Sequence, residues 1–549
     1  MTCHTRVFVA PVSALAIPGV HRFAFLRVGR WGELLPVHSN LASPRTKVQT
    51  VHPLEATMRS HRTARTRQLL PLLLSGTVVA FLAACQSDAP GISAPSTPSA
   101  TRSSDKKVDV CHNPSIEGGN IINVSISALG AHLGHGDYVA GLDVDKQNTD
   151  GDGIHFTRIT DALNAARATR RQFGEKEGAA CRITITVGSG TFTGAFAAST
   201  DATLEAFPLL LNVPDVTLQG GLRLQVIGGR ATANSLNEPD ITTLAPNRAL
   251  VNAPKPEAMI IVTYTADGYV GNGATIDGFA FASGRSAGSA VNGGFGILSM
   301  EVTDLIISNN RFATALTTAI DLRATSARIE RNYAEGLGNS CGFCLGGPGN
   351  VQVTGNTIVN GIRVGILLIP VTQVAVPVGV VQYAPKATET ITATLTNNSV
   401  TDYTRNSLGF ATGIRIVAAG VAGVAHNSVV TLTGNDLLRN SFGLMVDGGT
   451  SGPNVRGDAV VTLNGNTISQ SCRSDLLVSF ASPNRALGAN PALAYLVNST
   501  FTLSRGGNVT DARTWFDNPA GYGNTLIVDG SPMGNTPPLP VLVPTAPCG

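Results

Sequence analysis

The amino-acid sequence predicts an all-β fold, a right-handed parallel β-helix solenoid, and three observations point there. One unit recurs along the chain: an alternating apolar strand ending in Asn, a short bend, then a Gly-led strand. Charged residues are only 14% of the chain and glycines number 60, where a typical soluble protein is roughly 25% charged. A length of 549 residues exceeds one compact core of ordinary shape, so the chain consists of several domains or is built by repetition. Many short strands punctuated by Gly and Asn suit an elongated β solenoid.

The strand-Asn half of the unit appears as LIISNNRF (305–312), ARIERNYA (327–334), VQVTGNTI (351–358), ATLTNNSV (393–400), VTLTGNDL (430–437) and VTLNGNTI (461–468). The Gly-led half appears as FGILSM, TAIDLR, VGILLI, TGIRIV and FGLMV. Asn310, Asn332, Asn356, Asn398, Asn435 and Asn466 therefore lie one coil apart, the longer gaps housing loop insertions. Asn tolerates the left-handed bend between strands. Stacked coil on coil, its amide can hydrogen-bond the amides above and below, as in cross-β ladders. Isolated Asn-Gly or Asn-Asn pairs mark hairpin turns, which does not explain six in one frame. A β-sandwich, the alternative fold, needs strand pairs joined by two-residue turns.

From the amino end, residues 1–57 show no sustained period and read as an over-extended gene start. Residues 58–84 read as a signal peptide: basic RSHRTARTR (59–67), then apolar LLPLLLSGTVVAFLAA (69–84), too short for a comfortable membrane span. The ending Leu82-Ala83-Ala84-Cys85 resembles the lipobox of bacterial lipoproteins. That resemblance implies cleavage before Cys85, a diacylglyceryl thioether on its sulfur, and acylation of the new amino terminus. Several acyl chains anchor a protein stably, which one cannot. Residues 85–107 continue as a Ser/Pro/Ala tether, and Gln86, where an Asp would signal inner-membrane retention, points to the outer membrane. The expected location is the exported cell envelope, with the membrane as a partner through the lipid.

Residues 108–142 form a small Cys/His module. Three of the five His beyond the signal fall here: His112, His132 and His135. Residues 127–135 can form a short helix with His132 and His135 on one face, and Cys111-His112 lies on a strand-like segment. Thiolate plus imidazoles suits zinc or another transition metal, which makes Cys111, His112, His132 and His135 the candidate ligands. The other reading is a structural turn, and an oxidised Cys111 ligates nothing. The stretch resembles a recurrent exported bacterial module, C-H-x-P…V-S…A-L…H-L-x-H-G-D, in which a second Cys follows H-G-D; YVAGLDVD follows here.

The solenoid is expected over 143–535, with a Pro-rich tail at 536–549. Ile159, Ala162, Leu163 and Ala166 make a helical stripe that can cover the solenoid's open end. The pieces Asp150–Leu163, Ile183–Phe192 and Phe207–Gly220 resemble, in order and spacing, the opening of a family of exported pectin-lyase-like β-helices carrying a domain of unknown function. Cys341 and Cys344 are placed in a loop, as a local disulfide or none. Cys181 is the first candidate partner for Cys111 and Cys472 for Cys548, the connectivity staying open.

The resemblance implies relatives that include pectate lyases, with calcium-binding Asp and an Arg base, and polygalacturonases, with clustered Asp and a His. Aligning the Gly-led strands turns Asp321, Arg323, Arg415 and Asp447 outward, a candidate surface groove. Adjacent coils are about 4.8 Å apart, so Asp321 and Arg415 stand roughly 14 Å apart, too far to cooperate, and Arg415–Asp447 reads as a surface ion pair. No two carboxylates stack at glycosidase distances, and His426 reads as a surface histidine. Leu367, Met445 and Leu477 also face outward, an apolar strip that 370–383 or 536–547 can cover. A net charge of +3 without a basic run in the body excludes nucleic-acid binding. The expected function is a binding or structural lipoprotein role toward glycan or a surface protein, without cofactor unless the module binds metal. The alternative is a carbohydrate-active enzyme, a polysaccharide lyase or glycoside hydrolase.

Overall fold

The structure, a computed structural model, describes residues 107–114, 119–146, 152–196, 204–246, 258–282, 294–313, 316–337, 340–370, 388–404, 411–418, 425–448, 456–480, 496–506, 514–518 and 521–534. The readings of residues 1–106, Cys85 included, of 536–549 and of a Cys472–Cys548 pair lie outside them.

The described chain is a right-handed parallel β-helix. Each coil lays one strand into each of three sheets in turn: Leu305–Ser308, Arg311–Phe312 and Thr318–Arg323 in one coil, Ala327–Glu330, Tyr333–Glu335 and Cys341–Gly347 in the next. The first sheet holds 14 strands and the second and third 10 each. Pairing is parallel until Thr525–Val528 meets Ser531–Pro532 antiparallel. Alternation puts every second residue inside, so Ile307, Ile329, Val353, Leu395, Leu432 and Leu463 stack in one column at the first sheet's inner face. All six are buried. Each coil gains its burial only from its neighbours, which is why the unit must repeat.

The six asparagines occupy one buried column between the first and second sheets. The Nδ2 of each donates to the Oδ1 of the next, from Asn310 to Asn466, at 3.1, 3.0, 2.9, 2.9 and 2.8 Å. The same Oδ1 atoms accept the backbone N–H of the preceding Asn. The left-handed residue is not the ladder Asn, however, but the one before it. Asn309, Arg331, Gly355, Asn397, Gly434 and Gly465 carry φ of 53°, 52°, 67°, 54°, 63° and 58°. That residue makes the bend and leaves the following Asn aimed inward.

Glycine opens the third-sheet strands for reasons of space. A Cβ at Gly342 would come within 2.6 Å of the Gly365 carbonyl oxygen and 2.9 Å of Ile358 Cγ2. Cys341 and Cys344 lie in this sheet, on Cys341–Gly347, not in a loop, and are disulfide-bonded and buried.

At the amino end, helix α2 (Ile159–Phe173) buries Ile159, Ala162, Leu163 and Ala166, and also Arg170. Its first turn has no side-chain cap of its own. Instead, buried Glu205 accepts the N–H groups of Ile159 at 2.7 Å and Thr160 at 3.0 Å, a carboxylate where the helix dipole favours one. The Cys/His module is an antiparallel sheet of Asn120–Ser125, Lys107–His112 and Tyr138–Val139 with helix α1 (Ile126–Gly134). Cys111 pairs with Cys181, their Cα atoms 5.8 Å apart. The boundary at 142 falls inside Gly141–Val144, which already pairs with the solenoid strand Ile183–Val187. A hairpin, Leu224–Ile227 with Arg230–Ser235, packs Leu224 and Ala231 onto Tyr333 of the second sheet.

Candidate functional site

The outward third-sheet residues do not line an open groove. Arg323 donates to Asp321 through Nε at 3.2 Å and Nη2 at 2.6 Å, and both residues are buried. Burial pushes the Asp321 carboxyl above its ordinary value, and Arg323 opposes that only in part. Arg415 donates to Asp447 through Nε at 2.7 Å and Nη2 at 3.0 Å, and Asp447 is fully buried. The register Asp321, Cys344, Leu367, Arg415 keeps the two pairs apart. Each arginine is thus paired with an aspartate of its own face. Met445 and Leu477 are 0% and 1% exposed and Leu367 is half-buried. The outer face is therefore covered at Met445 and Leu477, but 371–383 and 536–547 lie outside the described residues.

His426 also departs from its sequence reading. It sits on Ala425–Thr433, not in a surface loop, and is buried with Nδ1 3.2 Å from Glu389 Oε2 of the preceding coil. Burial lowers its pKa, and the Glu389 charge raises it less. The contact joins residues 37 apart in sequence, which is why no acidic neighbour was visible.

In the module, His112 and His132 converge and two of the expected ligands fall away. Cys111 is oxidised, and His135 lies just past the end of α1, outside the cluster. Asp137 takes their place: its Oδ2 receives His112 Nδ1 at 2.8 Å and His132 Nδ1 at 2.9 Å, and its Oδ1 accepts the Asn113 N–H at 3.0 Å. Burial pushes the Asp137 carboxyl up, but the bonds from His112, His132 and Asn113 outweigh it and hold the pKa at about 2.

A concavity bearing several charged side chains lies away from the residues that the sequence singles out. A groove of about 780 Å³ follows the corner that leads from the third sheet into the first, across Arg182, Asp215, Asn272, Asp304, Arg328 and Gln352. These belong to six successive coils, so the groove runs about 24 Å along the axis at the ordinary strand spacing. Arg182 is held in place by Thr217 Oγ1, the Gly273 carbonyl and Thr275 Oγ1 at 3.2, 2.9 and 2.9 Å. Arg328 keeps half of its side chain in solvent. Beyond the groove the same outward column continues through Thr394, Thr431 and Thr462. Arg328 and Gln352 are outward positions of the strand-Asn halves, while Arg182, Asp215, Asn272 and Asp304 lie on the turns before first-sheet strands and carry no repeat signal.

No protein-family model matches the chain, and no curated protein matches it in sequence. Solved structures match it at low identity. A periplasmic alginate epimerase is 11% identical over 68% of this chain and 81% of its own, at a TM-score of 0.28. An endo-xylogalacturonan hydrolase from Aspergillus tubingensis is 11% identical over 71% and 92%, at 0.34. The Dettilon tailspike protein is 13% identical over 73% and 68%, at 0.35.

Proposed function

We propose that this β-helix is a lipid-anchored envelope protein that engages a polysaccharide along the first-sheet groove. The observation that supports the reading is the groove itself: carboxylates, guanidiniums and amides follow one another coil by coil on a rigid face. Aligned polar groups at a fixed repeat complement an extended, hydroxylated polymer better than they complement a compact ligand. A catalytic reading of the same groove, as a polysaccharide lyase or glycoside hydrolase, draws on Glu177, Asp215 and Asp304 beside Arg182 and Arg328. Carboxylates and a cation are the residue types that proton abstraction or glycosidic cleavage requires.

Affinity electrophoresis against neutral and anionic polysaccharides tests the binding. Arg328→Glu with Gln352→Ala is expected to weaken it at least tenfold, about 1.4 kcal/mol. Binding by no polysaccharide, or by the double variant as well as the parent, removes the groove. Release of reducing ends or unsaturated products decides for catalysis.

The anchor rests on the lipobox at Cys85. Cys85→Ser is expected to move the protein from the detergent phase to the aqueous phase, or to leave it uncleaved. Unchanged partitioning of that variant removes the lipoprotein reading.

A further inference from the structure

We infer that His112, His132 and Asp137 form a binding site for one divalent transition-metal ion of the zinc or copper class. One ligand atom from each residue lies within 4.8 Å of the others, so a small movement of the two rings brings all three to the ~2.0–2.2 Å of a coordination shell. Two imidazoles and a carboxylate are borderline ligands that favour copper and zinc over magnesium or calcium.

Three features separate this cluster from a chance surface grouping. The first is support. His112 follows Cys111, which the disulfide to Cys181 fixes to the solenoid, while His132 lies in the last turn of α1. The Asp137 N–H donates to the His132 carbonyl at 3.2 Å, which ties the carboxylate's backbone to that turn. The second is asymmetry. The Asp137 side chain is 1% exposed, against 38% for His112 and 25% for His132. A buried anion therefore lies beneath two rings that reach solvent, leaving an entry path. The third is the hydrogen bonding: both Nδ1 atoms address a single oxygen, Oδ2. A cation in their midst takes a lone pair from each Nδ1 and from Oδ2, each ring keeping its proton at Nε2 and losing one only where it was protonated at both nitrogens. The remaining coordination positions open toward solvent, where water or a donor group of a ligand completes the shell, the arrangement of an accessible site and not of a closed structural one.

The test uses the intact mature protein, stripped with chelator and titrated with Zn²⁺, Cu²⁺ and Co²⁺ by calorimetry, with metal content read by mass spectrometry. One equivalent per chain is expected, with a visible d–d spectrum for cobalt. His132→Ala and Asp137→Asn are each expected to weaken binding at least 100-fold, and His135→Ala to leave it unchanged. Circular dichroism and an intact Cys111–Cys181 bond establish that the variants fold. Less than a tenth of an equivalent bound, binding undiminished in folded His132→Ala, or loss in His135→Ala would each overturn the site.

Discussion

Replacing Asn356 by Ala is expected to destabilise the middle of the solenoid by about 3–5 kcal/mol, although the side chain touches neither solvent nor a site. Asn356 accepts the Asn332 N–H at 2.9 Å and Asn332 Nδ2 at 3.0 Å, and donates to Asn398 Oδ1 at 2.9 Å and to the Ile329 carbonyl at 2.9 Å. Alanine orphans the buried Asn332 N–H, at about 1–3 kcal/mol, and removes further buried bonds worth about 1 kcal/mol each. Because a solenoid is held by nearest neighbours, the loss should be local. Amide hydrogen exchange should quicken first in the coils from Leu305 to Val359, before the ends of the molecule respond. Asn350→Ala, at an exposed position of the same coil, serves as the control and should stay within about 0.5 kcal/mol of the parent. If the two variants exchange alike, the ladder contributes little and the apolar columns alone hold the coils.

The ladder also marks what a sequence of this kind discloses. Positions repeated in one frame are legible, because a solenoid writes each structural requirement once per coil. The inward columns and the Asn series are legible that way, and the α2 stripe through the period of a single helix. Contacts made once are not legible. Glu389 meets His426 across adjacent coils, and Asp137 joins His112 from 25 residues away in a turn whose Gly136 has φ of 90°. The register that places Arg182 beside Thr275 passes through an intervening coil whose length the repeat does not reveal. The bend itself falls one residue before the ladder Asn, masked by the unvarying Asn column beside it. The position before each ladder Asn is Gly or Asn in five of six coils, the residues that adopt positive φ most readily, with Arg331 the exception.

Arg170 is the second position where a large effect is expected, and there even lysine should fail. The residue is fully buried beneath the cap helix, and its guanidinium places every N–H. Nε donates to the Pro214 carbonyl at 3.0 Å. Nη1 donates to Tyr138 Oη at 2.8 Å and Glu175 Oε2 at 2.6 Å, and Nη2 to the carbonyls of Cys181 at 2.7 Å and Asp215 at 3.1 Å. One side chain thereby joins α2 to the module, to the disulfide and to the turn that opens the next coil. Arg170→Lys keeps the charge but offers three donors from one point, where five were spread over a plane. Two of the accepting oxygens lose their partner, and an ammonium enters a cavity shaped for a fork. Removing one member of a buried ion pair costs about 3–5 kcal/mol, and Arg170→Met should approach that range by taking the ion partner from part-buried Glu175 and the donors from the buried Pro214 and Cys181 carbonyls. Lysine should fall between methionine and the parent. The Cys111–Cys181 bond keeps the module tethered in each case, so detachment should be confined to α2. The expected signature is lost amide protection over Ile159–Phe173, with protection of Leu305–Ser308 and the later first-sheet strands retained. Full protection of α2 in Arg170→Lys would show that the charge alone suffices and that the five-fold donor pattern is incidental.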